Sequence, residues 1–126
     1  MALFQRSASS FYNAGVRAEK KKDLMKALQL YTKAAHMGHA DALTAAGKIY
    51  YMEYGPSHDI GRAEKYWQLA AEKDHPEALY LLGDLYLNGP EIWQNEDLGT
   101  ACLQRASILG YEKADELLNA YRTLQE

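Results

Sequence analysis

Apolar residues along the chain recur three and four positions apart, and no stretch sustains the period-two alternation of a half-buried strand. The pattern predicts helices throughout. Asp23, Asp59 and Asn95 stand 36 residues apart, each an N-cap type placed just before an apolar-periodic run. They open three equivalent helices. At common offsets follow Ala27, Ala63 and Gly99, then Tyr31, Trp67 and Leu103, then Ala34, Ala70 and Ala106, then Gly38, Asp74 and Gly110. The order in each is small, large, small, turn. Ala42, Ala78 and Ala114 follow at the same 36-residue period and seat the next helix.

A second helix per unit emerges when ALTAAGKIYY (42–51) is laid over ALYLLGDLYL (78–87), which aligns Gly47 with Gly83 and Tyr50 with Tyr86. SFYNAGVRA (10–18) is the same helix in the first unit, followed by a loop four residues shorter. A mid-helix glycine costs about 1 kcal/mol relative to alanine. Its recurrence at one register implies that the missing side chain is used, letting a neighbouring helix or ring reach the backbone. Seven helices are expected, at about 8–20, 24–37, 40–53, 60–73, 76–88, 96–109 and 112–125. Glu112, Lys113, Asp115, Glu116, Arg122 and Glu126 give the last one a polar face suited to an end cap. The expected fold is all-α: a right-handed α-solenoid of three helix-pair repeats (8–38, 39–74 and 75–110) with a C-terminal capping helix (111–126), in one domain.

Composition narrows the function. Fourteen lysines and arginines against 17 aspartates and glutamates give a net charge of −3, and the cations are scattered along the sequence. Nucleic acid is disfavoured as the main ligand. No window approaches a membrane span and the start lacks a secretory leader, so a cytoplasmic protein is expected. The single Cys102 excludes an internal disulfide and suits a reducing compartment. Ten tyrosines and only three prolines fit helices packed around small residues with aromatic fillers.

The pattern A-x-x-x-[LA]-G-x-x-Y, a glycine-containing loop, D-x-x-[KR]-A and A-A-x-x-[GD] resembles the Sel-one-like repeat family, relatives of the tetratricopeptide repeats. It stands here as Ala42, Ala46, Gly47, Tyr50, Gly55, Asp59, Arg62, Ala63, Ala70, Ala71 and Asp74. The third unit gives Ala78, Leu82, Gly83, Tyr86, Gly89, Asn95, Ala106 and Gly110. Departures lie at the ends, with Ser10 and Ala18 in the first unit and Leu98 and Gly99 in the third. The resemblance implies a non-catalytic scaffold that binds protein, without naming the partner.

Catalytic templates find little purchase. Gly47-Lys48-Ile49 has alanine at the first glycine position of a phosphate loop and isoleucine in place of Ser/Thr, in mid-helix. His36 and His39 are spaced like half a metal site, with His75 as a further donor. Against this, Gly38 ends the helix between them, and His39 shares its register with His75 and Tyr111, a position asking for a flat, partly polar ring. Cys102 shares a register with Leu30 and Tyr66, one residue before the large core position, which favours an inert buried thiol over a nucleophile. No cofactor is expected. EYGPSHD (53–59) and NGPEIWQNE (88–96) both carry Gly-Pro and read as turns. Within the second, either one of Ile92 and Trp93 folds back to plug the repeat's edge or Trp93 stands out as an aromatic anchor.

With the resemblance taken as tetratricopeptide-like in register, the concave groove is expected to present Tyr12, Val16 and Glu19, then Asp41, Thr44, Lys48, Tyr51 and Met52, then Glu77, Tyr80, Asp84, Leu87 and Asn88. The tyrosines bring area at low entropy cost and a hydroxyl to orient a partner. The expected function is therefore a protein-interaction module binding a protein or peptide in that groove. A narrower alternative is a dedicated inhibitor or immunity-type protein of a bacterial effector toxin, and a homodimer is open. The rival class is a metal or enzymatic protein using His36, His39 and His75.

Overall fold

Each helix begins and ends for a local reason, and the same reasons recur from repeat to repeat. The computed structural model describes residues 6–52, 55 and 57–126. Glu53, Tyr54 and Pro56 of the first expected turn lie outside the described residues. The helices are α1 (Ala8–Lys20), α2 (Leu24–His36), α3 (Ala40–Tyr51), α4 (Ile60–Ala71), α5 (Pro76–Asn88), α6 (Glu96–Ile108) and α7 (Glu112–Leu124). A 3-10 turn, Glu91–Trp93, precedes α6, and the described residues contain no strand.

The second helix of every repeat opens on the residue picked out by the 36-residue period. Asp23, Asp59 and Asn95 accept the backbone N–H groups of Lys26, Arg62 and Leu98 at 3.1, 3.0 and 3.1 Å. Each such cap stabilises its helix by about 1 kcal/mol. The same three residues donate their own N–H to the carbonyls of Ala18, Tyr50 and Tyr86 at 3.0, 2.7 and 2.8 Å, which pins the end of the first helix to the start of the second. At the far end, Gly38, Asp74 and Gly110 adopt φ of 81, 57 and 89°. That left-handed residue returns the next N–H, from His39, His75 and Tyr111, to Ala34, Ala70 and Ala106 at 3.2, 3.3 and 3.0 Å, closing a Schellman-type turn.

The chain divides into two compact units, Met1–Leu69 and Ala70–Glu126. In the first, α2 packs against both α1 and α3. In the second, α6 packs against α5 and α7, and α7 also touches α5. Small residues sit where helices meet: Ala27, Ala34, Ala42 and Ala63 are fully buried in one unit, and Ala70, Ala78, Ala106 and Ala114 in the other.

Large side chains fill the spaces that the mid-helix glycines leave. A Cβ on Gly15 would lie 2.6 Å from the Tyr31 ring, one on Gly47 2.7 Å from Cδ1 of Trp67, and one on Gly83 2.6 Å from the Leu103 side chain. The expected use of the missing side chain is thus observed in all three repeats. Trp67, 1% exposed, also donates its indole N–H to the Thr44 carbonyl at 3.2 Å, so the closest approach comes with its polar atom satisfied. The buried Tyr31 hydroxyl donates to Glu19 at 2.6 Å. Full burial of a side chain of this size contributes about 1.5–3 kcal/mol, so these three glycine pairs anchor their repeats.

Candidate functional site

The histidine at the repeat joint acts through its ring. His39 is the N-cap of α3, where its Nδ1 accepts the Ala42 N–H at 3.1 Å. Its ring stacks on Tyr12, with centroids 4.8 Å apart and planes 25° from parallel. In the second unit Tyr111 fills the equivalent N-cap of α7 and tilts against Tyr80 at 5.4 Å and 48°. Tyr12 and Tyr80 share a register, so the joint ring serves as a partner for the first-helix tyrosine in both units. His75 is the N-cap of α5, and His36 lies exposed at the end of α2. Among the described residues, no three His, Cys, Asp or Glu side chains converge as a metal ligand set. Cys102 is half-buried on α6; burial pushes its thiol up, and the nearby Arg105 pulls it partway back.

The expected groove residues separate into two groups. Val16, Tyr12 and Tyr51 are half-buried in the first unit, Lys48 and Met52 are exposed, and the Tyr51 ring tilts against Trp67 at 5.4 Å and 43°. In the second unit Tyr80 and Asp84 are half-buried, and Asp84 accepts from the Asn88 amide at 3.0 Å. Tyr80 lines an open hollow of about 410 Å³ with Lys113, Glu116, Leu117 and Ala120. Burial pushes its phenol up, and the carboxylates of Asp84 and Glu116 add to the shift. Thr44 and Leu87 depart from the expectation. Thr44 is 1% exposed, with its hydroxyl donating to the Ala40 carbonyl at 3.1 Å and its own carbonyl held by Trp67. Leu87 is 8% exposed, and its methyl group fills the space above Gly99. Thr44 shares the register of Tyr12 and Tyr80 and Leu87 packs on the second helix of its own repeat, and burial leaves little of either side chain accessible. Glu19 is exposed, and its carboxylate accepts the Tyr31 hydroxyl at 2.6 Å.

The loop aromatics divide as well. Ile92 stands 89% exposed and so is not the residue that folds back, while Trp93 is half-buried at the end of the 3-10 turn. The turn is held by the Trp93 N–H on the Pro90 carbonyl at 2.8 Å and the Gln94 amide on the Gly89 carbonyl at 3.0 Å.

Two features escaped the sequence. Cations scattered along the chain gather in space: Arg6, Arg17, Lys21 and Lys26 border one hollow of about 480 Å³ between α1 and α2. A second hollow of about 330 Å³ is bordered by His36, Arg62, Lys65, Tyr66 and Leu69. Beside it, Tyr50 and Tyr66 stack at 5.6 Å and 7°, with the Arg62 guanidinium over the Tyr50 ring. The i, i+4 spacing of Arg17 and Lys21 was the one signal available for the first hollow.

Paired helices with recurrent caps, joints and glycine contacts define a helical-repeat protein of the α-solenoid class. The Sel1 repeat family model matches residues 1–39, 40–75 and 76–111, and the chain belongs to that family. Members of the family are generally protein-interaction modules and typically non-catalytic. The chain is similar to chitin synthase regulatory factor 1 of Schizosaccharomyces pombe, 31% identical over 103 residues, covering 79% of this chain and 23% of that protein. It is similar to chitin synthase regulatory factor 4 of the same yeast, 33% identical over 98 residues, covering 76% of this chain and 16% of that protein. The chain thus spans less than a quarter of the curated relatives it matches. Among solved structures, a Sel1 repeat protein from Oxalobacter formigenes superposes with a TM-score of 0.82 at 24% identity, covering 95% of this chain and 51% of that one. A protective antigen of uropathogenic Escherichia coli strains, displaying the SLR fold, gives 0.83 at 18% identity, with coverage of 90% and 25%. Those two likenesses show the fold. Among the described residues, no helix is long and apolar enough to cross a membrane.

Proposed function

We propose that the chain is a non-catalytic interaction module that binds a protein or peptide through the outward side of its first helices. Val16, Lys48, Tyr51 and Met52 would supply the contacts in the first unit, with Tyr12 at their edge, and Tyr80 and Asp84 in the second. The observation that carries this reading is the accessibility of large amphipathic side chains there: Met52 is 42% exposed beside a half-exposed Tyr51, and Tyr80 opens onto its own hollow. Aromatic and methionine side chains are the types enriched where proteins meet. Mixed charge from Lys48 and Asp84 suits a partner that is neither strongly acidic nor strongly basic. The names of the yeast relatives support a regulatory adaptor ahead of a toxin-neutralising protein. A cytoplasmic setting suits the single free thiol of Cys102.

Affinity capture with the whole chain, comparing the natural sequence with a Lys48→Ala, Met52→Ala double variant, tests the proposal. Loss of a stoichiometric partner from the variant, with an unchanged circular dichroism spectrum, is the expected result. Retention of every partner by the variant places binding on another surface.

A further inference from the structure

The hollow between α1 and α2 has a charge that its own fold does not use. Arg6, Arg17, Lys21 and Lys26 border it, Asp23 is the one carboxylate beside it, and Ala18 and Leu30 form its buried floor. Asp23 is already committed, since its side chain caps α2 through the Lys26 N–H. Arg6 reaches the Ser10 hydroxyl and carbonyl, both at 3.3 Å. Among the described residues, Arg17, Lys21 and Lys26 place their charged groups in no ion pair.

Helix electrostatics accounts for part of this arrangement only. Arg17 sits in the last turn of α1, where a cation complements the negative end of the helix. Lys26 lies in the first turn of α2, which holds no acidic residue and where a cation faces the positive end. One repeat later, Arg62 occupies the same register and is compensated, by Asp59 at 3.8 Å and by the Tyr50 hydroxyl. Lys26 has no such neighbour. Arg17 itself stands at the register of the buried Ile49 and Leu85. Among the described residues, three cations outside any ion pair thus border one concavity.

We propose that this hollow binds a phosphate group, supplied either by a phosphorylated side chain of a partner or by a free phosphate compound. A phosphate monoester carries a charge of about −1.5 to −2 and three acceptor oxygens, matching several cations better than a single carboxylate does. The Arg17 guanidinium offers paired donors for two of those oxygens, Lys21 and Lys26 add point charges, and Arg6, held by Ser10 and over the Phe11 ring, adds its positive field. A hollow of about 480 Å³ also falls in the size range of small-ligand sites. The site is independent of the tyrosine-bearing face, so either can fail without the other.

The test is a titration of the whole chain with pyrophosphate at ~150 mM salt, where surface charges are well screened, followed by calorimetry and by amide chemical shifts. The expected result is saturable binding with a Kd below about 1 mM, shifts centred on residues bordering the hollow, and at least a roughly tenfold loss in an Arg17→Gln, Lys26→Gln double variant. Two further probes, Gly-phosphoserine-Gly and Gly-Ser-Gly, identify the source. Binding of the phosphopeptide about tenfold tighter than pyrophosphate assigns a partner's side chain, and binding no tighter than pyrophosphate assigns a free phosphate compound. Absence of saturable pyrophosphate and phosphopeptide binding, shifts centred elsewhere, or equal affinity in the folded double variant overturns the proposal.

Discussion

Replacing Gly47 by alanine sets two effects of opposite sign against each other. Alanine is the better helix former by about 1 kcal/mol, so in an isolated α3 the change would stabilise. In the folded chain the new methyl group would enter the Trp67 indole, 2.7 Å from Cδ1 and nearer still to Nε1. The indole has little room to yield, being 1% exposed and tied to the Thr44 carbonyl at 3.2 Å. Forcing a group into a filled core costs about 1–3 kcal/mol, and a buried indole N–H pulled off its acceptor costs about 1–3 kcal/mol more. Subtracting the propensity gain leaves a net destabilisation of about 3 kcal/mol, near the middle of the range. Urea denaturation followed by circular dichroism and by tryptophan fluorescence measures it, using both probes because repeat proteins need not unfold in one step. The expected result is a markedly lower midpoint with a red-shifted emission from Trp67. A midpoint equal to or above that of the natural sequence refutes the close-approach account of the repeat glycines.

Other consequences follow from particular side chains. Burial first, and the Glu19 carboxylate second, raise the phenol of Tyr31 above its ordinary value. A raised folded pKa means the stability it contributes is fully present below the unfolded value of about 10 and is lost above it, by up to about 1.4 kcal/mol per pH unit. Tyr31→Phe should therefore weaken the fold at pH ~7 by about 1 kcal/mol through the lost hydrogen bond, yet flatten the alkaline decline; parallel curves for both proteins would count against it. Cys102, with its thiol pushed up by burial, should be alkylated by iodoacetamide at pH ~8 several-fold more slowly than a cysteine tripeptide, and equal rates would contradict the placement. Lys22 holds a φ of 65° in the exposed α1–α2 turn. Lys22→Gly relieves that strain against a loosened unfolded chain and should raise stability by about 0.5 kcal/mol, a drop in the urea midpoint being the contrary result.

Most of the fold was legible because its joints reuse one period. The caps at Asp23, Asp59 and Asn95, the left-handed turns at Gly38, Asp74 and Gly110, and the glycine contacts of Tyr31, Trp67 and Leu103 all sit where 36-residue spacing puts them. The site was less legible. Successive helical residues point about 100° apart, so the outward side of a helix cannot be fixed to within one position by a borrowed register. Thr44 and Leu87 are buried, whereas Lys48 and Met52 are exposed. His39 could be recognised as a ring position, but its stacking on Tyr12 joins residues brought together only by packing. The basic hollow was hidden for the same reason, since its cations come from the start of the described chain, two helices and the turn between them.

The most direct test of the interaction account is site-specific photocrosslinking in cells, with the crosslinking residue placed in turn at Met52, Asp84 and Trp93 of the whole chain. The account predicts that one partner protein is trapped from Met52 and from Asp84 and not from Trp93. A partner trapped from Trp93 alone, or none from either first-helix position, would contradict it.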